Sequence, residues 1–175
     1  AWESRADSPR YGVRLAGGGV LVVLPDRVVE ITRQGKVNWE YGEELIYPVW
    51  AERLPGGNTL IGDQGLYGGG GKDLEVTGDG QIAWQFGTGP GELSQPVMAQ
   101  RLEDGGTLIA DVGLAKVFRV KGQEKKVVTA WGDVLKKVTV AKSWFSLPLP
   151  GDFVCLGLTL SGGRPVVWQV GPGVK

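Results

Sequence analysis

The chain has 175 residues, and its 19 lysines and arginines balance its 19 aspartates and glutamates, so the formal net charge is zero. That balance argues against a protein that works by neutralising phosphate backbones, which needs a clustered basic excess. Histidine is absent, which removes Ser-His and Cys-His nucleophile pairs, imidazole metal ligands and the usual near-neutral proton shuttle.

Glycine is the outlier, with 30 of 175 residues, about 17% against roughly 7% on average. With 42% hydrophobic residues the chain has enough apolar surface to fold, so the glycines are expected to punctuate many short elements. The longest apolar run, Val20 to Leu24, falls far short of the ~20 residues of a membrane helix and reads as a strand. No membrane span is expected. Cys155 is the sole cysteine and sits in the apolar run Phe153-Val154-Cys155-Leu156, where a buried, inert thiol is expected.

A repeat runs through the chain. It opens weakly at Val13-Arg14-Leu15-Ala16-Gly17-Gly18-Gly19-Val20-Leu21-Val22. It is clear in Ala51-Glu52-Arg53-Leu54-Pro55-Gly56-Gly57-Asn58-Thr59-Leu60-Ile61-Gly62-Asp63 and in Ala99-Gln100-Arg101-Leu102-Glu103-Asp104-Gly105-Gly106-Thr107-Leu108-Ile109-Ala110-Asp111. It fades in Leu149-Pro150-Gly151-Asp152-Phe153-Val154-Cys155-Leu156. The anchors Leu15, Leu54, Leu102 and Leu149 each precede a glycine-bearing turn. A tryptophan strand follows each anchor: Val37-Asn38-Trp39-Glu40-Tyr41, Ile82-Ala83-Trp84-Gln85-Phe86, Val128-Thr129-Ala130-Trp131 and Val167-Trp168-Gln169-Val170.

Each unit reads as four short strands. The second gives strands at 50–54, 58–62, 73–77 and 81–86, bounded by Pro-Gly-Gly, a glycine-rich connection and Gly-Asp-Gly. No window carries sustained apolar spacing at i, i+3, i+4 and i+7, so helices are expected to be few. The segment Val134 to Val140 is read as strand for its β-branched content. Four-stranded units of this length, repeated in sequence, predict an all-β fold: a β-propeller of four four-stranded blades, closed as a four-bladed ring or as half of an eight-bladed ring. The units span approximately 11–42, 48–87, 96–132 and 143–171 of a single domain, 1–175, with an N-terminal arm at 1–10.

The stretch from Arg53 to Asp63, with its following strand and Gly80-Gln81-Ile82-Ala83-Trp84-Gln85-Phe86-Gly87, resembles repeats of quinoprotein-like and arylsulfotransferase-like propellers. The run Phe86-Gly87-Thr88-Gly89-Pro90-Gly91-Glu92-Leu93-Ser94-Gln95-Pro96, continuing to Asp111, resembles an NHL repeat. Arylsulfotransferases of this shape work through a catalytic histidine, which the chain lacks. Quinone-dependent dehydrogenases of this shape hold a metal-bound cofactor in a larger ring, of which four units supply half. The resemblance therefore implies a scaffold without either activity, and no cofactor is expected. NHL propellers bind proteins or RNA, and zero net charge favours protein over nucleic acid. The resemblance, with the initial Ala1, also implies a secreted or extracellular location.

Tyr11, Trp50, Met98 and Phe145 each stand four residues before their anchor leucine. They are candidate ligand-binding side chains around a central funnel, or filler that plugs it. Tyr47 and Tyr67 are candidate loop aromatics. Asp63 and Asp111 end equivalent strands and either cap turns, act as paired acid and base, or hold a hard cation. The loop Gly65 to Lys72 lacks the Gly-Lys-Ser/Thr ending of a phosphate loop and reads as an insertion. No catalytic residue and no metal site are assigned. The expected role is a non-catalytic scaffold that binds a protein partner or further copies of itself, including as a homo-oligomer. The alternatives are a carbohydrate-binding module using the funnel and loop aromatics, and a fragment of a larger secreted propeller enzyme.

Overall fold

The computed structural model describes residues 8–66, 70–89, 91–122, 124–130, 140–149, 153–160 and 165–170, with side chains as far as residue 128. The chain divides into two compact units, Ala1–Ala99 and Gln100–Lys175. Within the first, β1 (Tyr11–Arg14), β2 (Val20–Val23), β3 (Val28–Ile31) and β4 (Val37–Tyr41) form one four-stranded sheet in sequence order. A second sheet follows with β5 (Pro48–Arg53), β6 (Thr59–Asp63), β7 (Lys72–Val76) and β8 (Ile82–Phe86), again in order. All neighbours in both sheets are antiparallel.

The turns explain the repeated leucine. In the first three units the anchor leucine N–H donates across the turn: Leu15 to the Gly19 carbonyl, Leu54 to Asn58 and Leu102 to Gly106. Its own carbonyl accepts from the third residue on, at Gly18, Gly57 and Gly105. Those three glycines have φ of 86°, 92° and 80°, the left-handed region in which a Cβ is strained. The motif is thus a backbone requirement, repeated because the turn repeats. The last strand of the second unit ends at Phe86 as expected, and the other strand ends fall one or two residues from the expected bounds for the same reason. Asn58 closes its turn, and Gln81 N–H donates to the Thr77 hydroxyl, so these residues belong to turns.

Burial on both faces accounts for continuous apolar runs where one-sided sheets would alternate. Leu21, Val23 and Val28 of the first sheet pack with Ala51, Ile61, Leu74 and Val76 of the second, all fully buried. The alternate residues Val22, Val29 and Ile31 gather on the opposite face of the first sheet. Each such valine, leucine or isoleucine side chain contributes about 1.5–3 kcal/mol of burial. Because the sheets meet through these rows, neither is stable as a lone meander.

A third four-stranded sheet contains β9 (Pro96–Arg101), β10 (Thr107–Asp111), β11 (Lys116–Lys121) and β12 (Glu124–Ala130). Its core holds Ile109, Val117, Phe118 and Val120. In its first turn Asp104 accepts from Gly106 N–H at 3.0 Å and pairs with Arg119. The Gly106 hydrogen bond, with Arg119 and Lys121 nearby, holds the Asp104 carboxyl below its ordinary range.

The fourth repeat is described only in part, since residues 131–139, 150–152, 161–164 and 171–175 lie outside the described residues. Among the described residues it has three: β13 (Val140–Leu149), β14 (Phe153–Leu160) and β15 (Pro165–Val170), in that order. Val140 begins β13 with a longer strand than the repeat predicts. Among the described residues no helix is long and apolar enough to cross a membrane.

Gly19 and Gly17 give a sharp test of this packing. A Cβ at Gly19 would stand 2.8 Å from the Ile31 carbonyl oxygen, whereas one at Gly17 meets nothing within 4 Å. Gly19→Ala is expected to cost about 1–3 kcal/mol through overpacking, and Gly17→Ala to be neutral within about 0.5 kcal/mol. Urea unfolding of the two variants measures both.

Candidate functional site

Strand direction gives the first two sheets a loop end and a turn end. β5 runs from Pro48 at the loop end to Arg53 at the turn end, roughly 17 Å for six residues.

The loop end is organised by Asp63, which is completely buried. Its Oδ2 accepts from Ile46 N–H at 2.8 Å, and its Oδ1 accepts from Tyr47 N–H at 2.7 Å and Gly65 N–H at 2.9 Å. Gln64 N–H donates to the Tyr47 carbonyl. One carboxylate thereby ties the connection between the first two sheets to the end of β6, with charge-assisted bonds. The side chains on the tied backbone point outward: Ile46 is 51% exposed, Tyr47 45% and Leu66 69%. The Arg10 guanidinium lies 3.4 Å from the Tyr47 ring centroid and donates to the Pro48 carbonyl at 2.9 Å. Tyr11 meets Trp50 at 6.5 Å between ring centroids, tilted by 42°. Burial raises the Tyr11 phenol above its ordinary range; the Trp50 side chain opposes this and the Glu52 charge adds to it.

The turn end carries an open cleft of about 840 Å³ between the first two sheets. Val13, Leu15 and Leu54 supply apolar lining, and Arg14, Arg33 and Glu52 supply charge. One wall is fixed. Arg53 pairs with Glu30 at 2.5 Å, donates to the Gly57 carbonyl at 2.8 Å and lies over the Trp39 ring. Asn38 donates to the other Glu30 oxygen at 3.0 Å. Glu52 has no hydrogen bond or ion pair among the described residues, and burial raises its carboxyl above the ordinary glutamate range.

The candidates from sequence fall mainly at the loop end. Tyr11 and Trp50 touch, but Trp50 is buried, as is Met98. Tyr47 is exposed and carries Arg10 on its ring. Phe145 lies on β13 with its side chain outside the described residues, and Tyr67 lies outside them altogether. Asp111, also buried, accepts from Leu114 N–H at 2.9 Å. Both Asp63 oxygens face N–H donors, an environment that suits an anion and repels a cation. Among the described residues no three metal-ligating side chains converge. Ile46, Leu66, Arg10 and Glu52 were not singled out from sequence. Only the proximity of Ile46 and Tyr47 within one loop hinted at the apolar face, since the clamp that joins Leu66 to them spans 17 residues.

No protein-family model matches the chain, and no curated protein matches it. Solved structures do. A protein of unknown function from Bacteroides caccae is 20% identical with a TM-score of 0.60, over 93% of this chain and 60% of that one. A catalytically inactive histidine-to-alanine variant of virginiamycin B lyase from Staphylococcus aureus, with quinupristin, is 11% identical with a TM-score of 0.64, over 98% and 58%. BBS1N in complex with ARL6DN is 11% identical with a TM-score of 0.56, over 96% and 57%. The chain therefore spans somewhat over half the length of these structures, and the likeness is one of fold. The all-β chain is propeller-like.

These neighbours correct one expectation. The reading of the chain as lacking catalytic function does not stand, because propeller-like neighbours include virginiamycin B lyase, an enzyme. The expectation rested on the absence of histidine, the absence of a cysteine pair and the scarcity of carboxylate pairs outside turns, and residue types alone do not exclude catalysis. The absence of histidine excludes imidazole chemistry within these 175 residues, whereas a desolvated carboxyl in a cleft, such as Glu52, remains an acid-base group.

Two outcomes are expected. Asp63→Ala leaves three amides without their acceptor and lowers stability by about 3 kcal/mol in urea unfolding. Glu52 acts in the opposite sense. Its folded-state pKa is raised, so the native state holds the proton more tightly and stability falls as pH climbs from the ordinary glutamate range through the raised value. Glu52→Gln is expected to raise Tm at neutral pH and to flatten the pH dependence across that window.

Proposed function

We propose that the loop end of the first two sheets is a protein-binding face of a propeller-like scaffold. The observation that carries this reading is the Asp63 clamp, which holds Ile46, Tyr47 and Leu66 outward on a backbone tied by three hydrogen bonds. Large apolar side chains displayed together on one rigid surface mark interaction sites. Fixing the backbone in advance lowers the entropy lost on association. Tyr47 adds the amphipathic ring typical of binding hot spots, and Arg10 supplies a cation at its face. The complex of BBS1N with ARL6DN supports the reading by showing that a propeller-like neighbour binds a protein. A second copy of this chain is one partner of the required chemistry.

The test places a photo-crosslinking amino acid at position 66 or, as control, at position 37. Val37 is 59% exposed but starts the outer strand β4 at the turn end. Discrete adducts from position 66 are expected, lost on adding Ile46→Asp and absent from position 37. An adduct of twice the chain's mass identifies a second copy as the partner. Matching adducts from both positions, or none from position 66, overturns the proposal.

A further inference from the structure

The turn-end cleft is separate from the proposed protein-binding face and has its own chemistry. With Arg53 and Glu30 neutralising each other at 2.5 Å, the charged lining that remains is Arg14, Arg33 and Glu52. Both of those arginines are exposed and lack hydrogen bonds and ion pairs among the described residues, and the Arg33 stem lies across Gly18. Two unengaged guanidinium forks against one carboxyl select a ligand with negative charge, held by N–H donors in the plane of the fork.

The rest of the cleft narrows the class. Its volume of about 840 Å³ is large for a single small acid and lies in the range of sites for drug-sized or oligomeric ligands. No aromatic side chain lines it, which disfavours stacked bases. Val13, Leu15, Leu54 and Pro55 present aliphatic surface suited to the C–H faces of sugar rings. Gln34 and Glu52 offer hydroxyl partners. The Glu52 carboxyl also penalises a dianionic phosphate more than a monoanionic carboxylate, since like-charge repulsion grows with ligand charge.

We propose that this cleft binds an acidic oligosaccharide, with Arg14 and Arg33 on a uronate carboxylate and Glu52 on the neighbouring hydroxyls. This differs from a carbohydrate site built on Trp50, Tyr47 and Tyr67, because those residues belong to the opposite end of the sheets or lie outside the described residues. A pH signature follows from Glu52. When ionised it repels the ligand carboxylate; when protonated it donates a hydrogen bond. Affinity therefore rises as pH falls through the Glu52 range, until the ligand's own carboxylates take up protons. The other groups facing Glu52 are the Arg53–Glu30 pair, Arg14, Arg33 and the Tyr11 phenol, which burial raises above its ordinary range.

The test is titration calorimetry of the full chain with tetragalacturonate, alongside neutral cellotetraose, citrate and inorganic phosphate. One-to-one binding of tetragalacturonate is expected, weakened at least about tenfold in the Arg14→Ala/Arg33→Ala double variant. Thermal melting of that variant should match the parent, because neither arginine makes a structural bond. Glu52→Gln is expected to bind more tightly at pH 7 and to lose the pH dependence. The proposal is overturned by absence of binding, or by equal affinity for cellotetraose, citrate or phosphate. Affinity unchanged in the double variant, or a pH profile unchanged by Glu52→Gln, overturns it as well.

Discussion

A carboxylate without access to water organises the loop end of the first two sheets. Asp63 would carry a large desolvation cost if its oxygens were idle, and three backbone amides remove that cost. The bonds in turn reach from the end of β6 back to the link between the first two sheets. Loops are ordinarily the least ordered parts of a domain. Here the charge that must be satisfied makes a loop as determined as the strands it joins. The first sheet shows the contrast: at the equivalent place stands Leu24, whose N–H closes a short turn with the Arg27 carbonyl, and no clamp is needed.

The turn end follows a different rule. Its hairpins are set by glycines at positive φ, and its link between sheets is the Arg53 guanidinium between Glu30, Trp39 and Gly57. A planar cation with five donors can satisfy a carboxylate, a carbonyl and an aromatic face at once, which lysine cannot. This wall is self-contained, so the cleft beside it keeps its remaining charges for something else. One scaffold thus presents two unlike surfaces, an apolar face held by a buried anion and a charged cleft walled by an ion pair.

Much of the fold was legible because repetition is a strong signal. The spacing of Leu15, Leu54 and Leu102 marks a turn that recurs with the same two hydrogen bonds. The equal offset of Tyr11 and Trp50 from their anchors corresponds to a ring contact. Strand ends were less legible, since whether Asn58 or Thr77 belongs to strand or turn depends on a side-chain or cross-turn hydrogen bond. The sites were least legible. Glu52 reads as one residue in an alternating strand, and its lack of a partner is a property of the assembled sheets. Ile46 and Leu66 read as unrelated loop residues because the carboxylate that joins them is distant in sequence. The mistaken exclusion of catalysis has the same origin, for residue types show which chemistries are missing and not which environments are made.

Hydrogen-deuterium exchange at the amides of Ile46, Tyr47 and Gly65 tests the account most directly. If the buried carboxylate holds the loop end, these three amides exchange as slowly as the strand amides of β6, although the side chains beside them are in water. Exchange at the rate of an open surface loop would contradict the clamp, and with it the rigid binding face built on it.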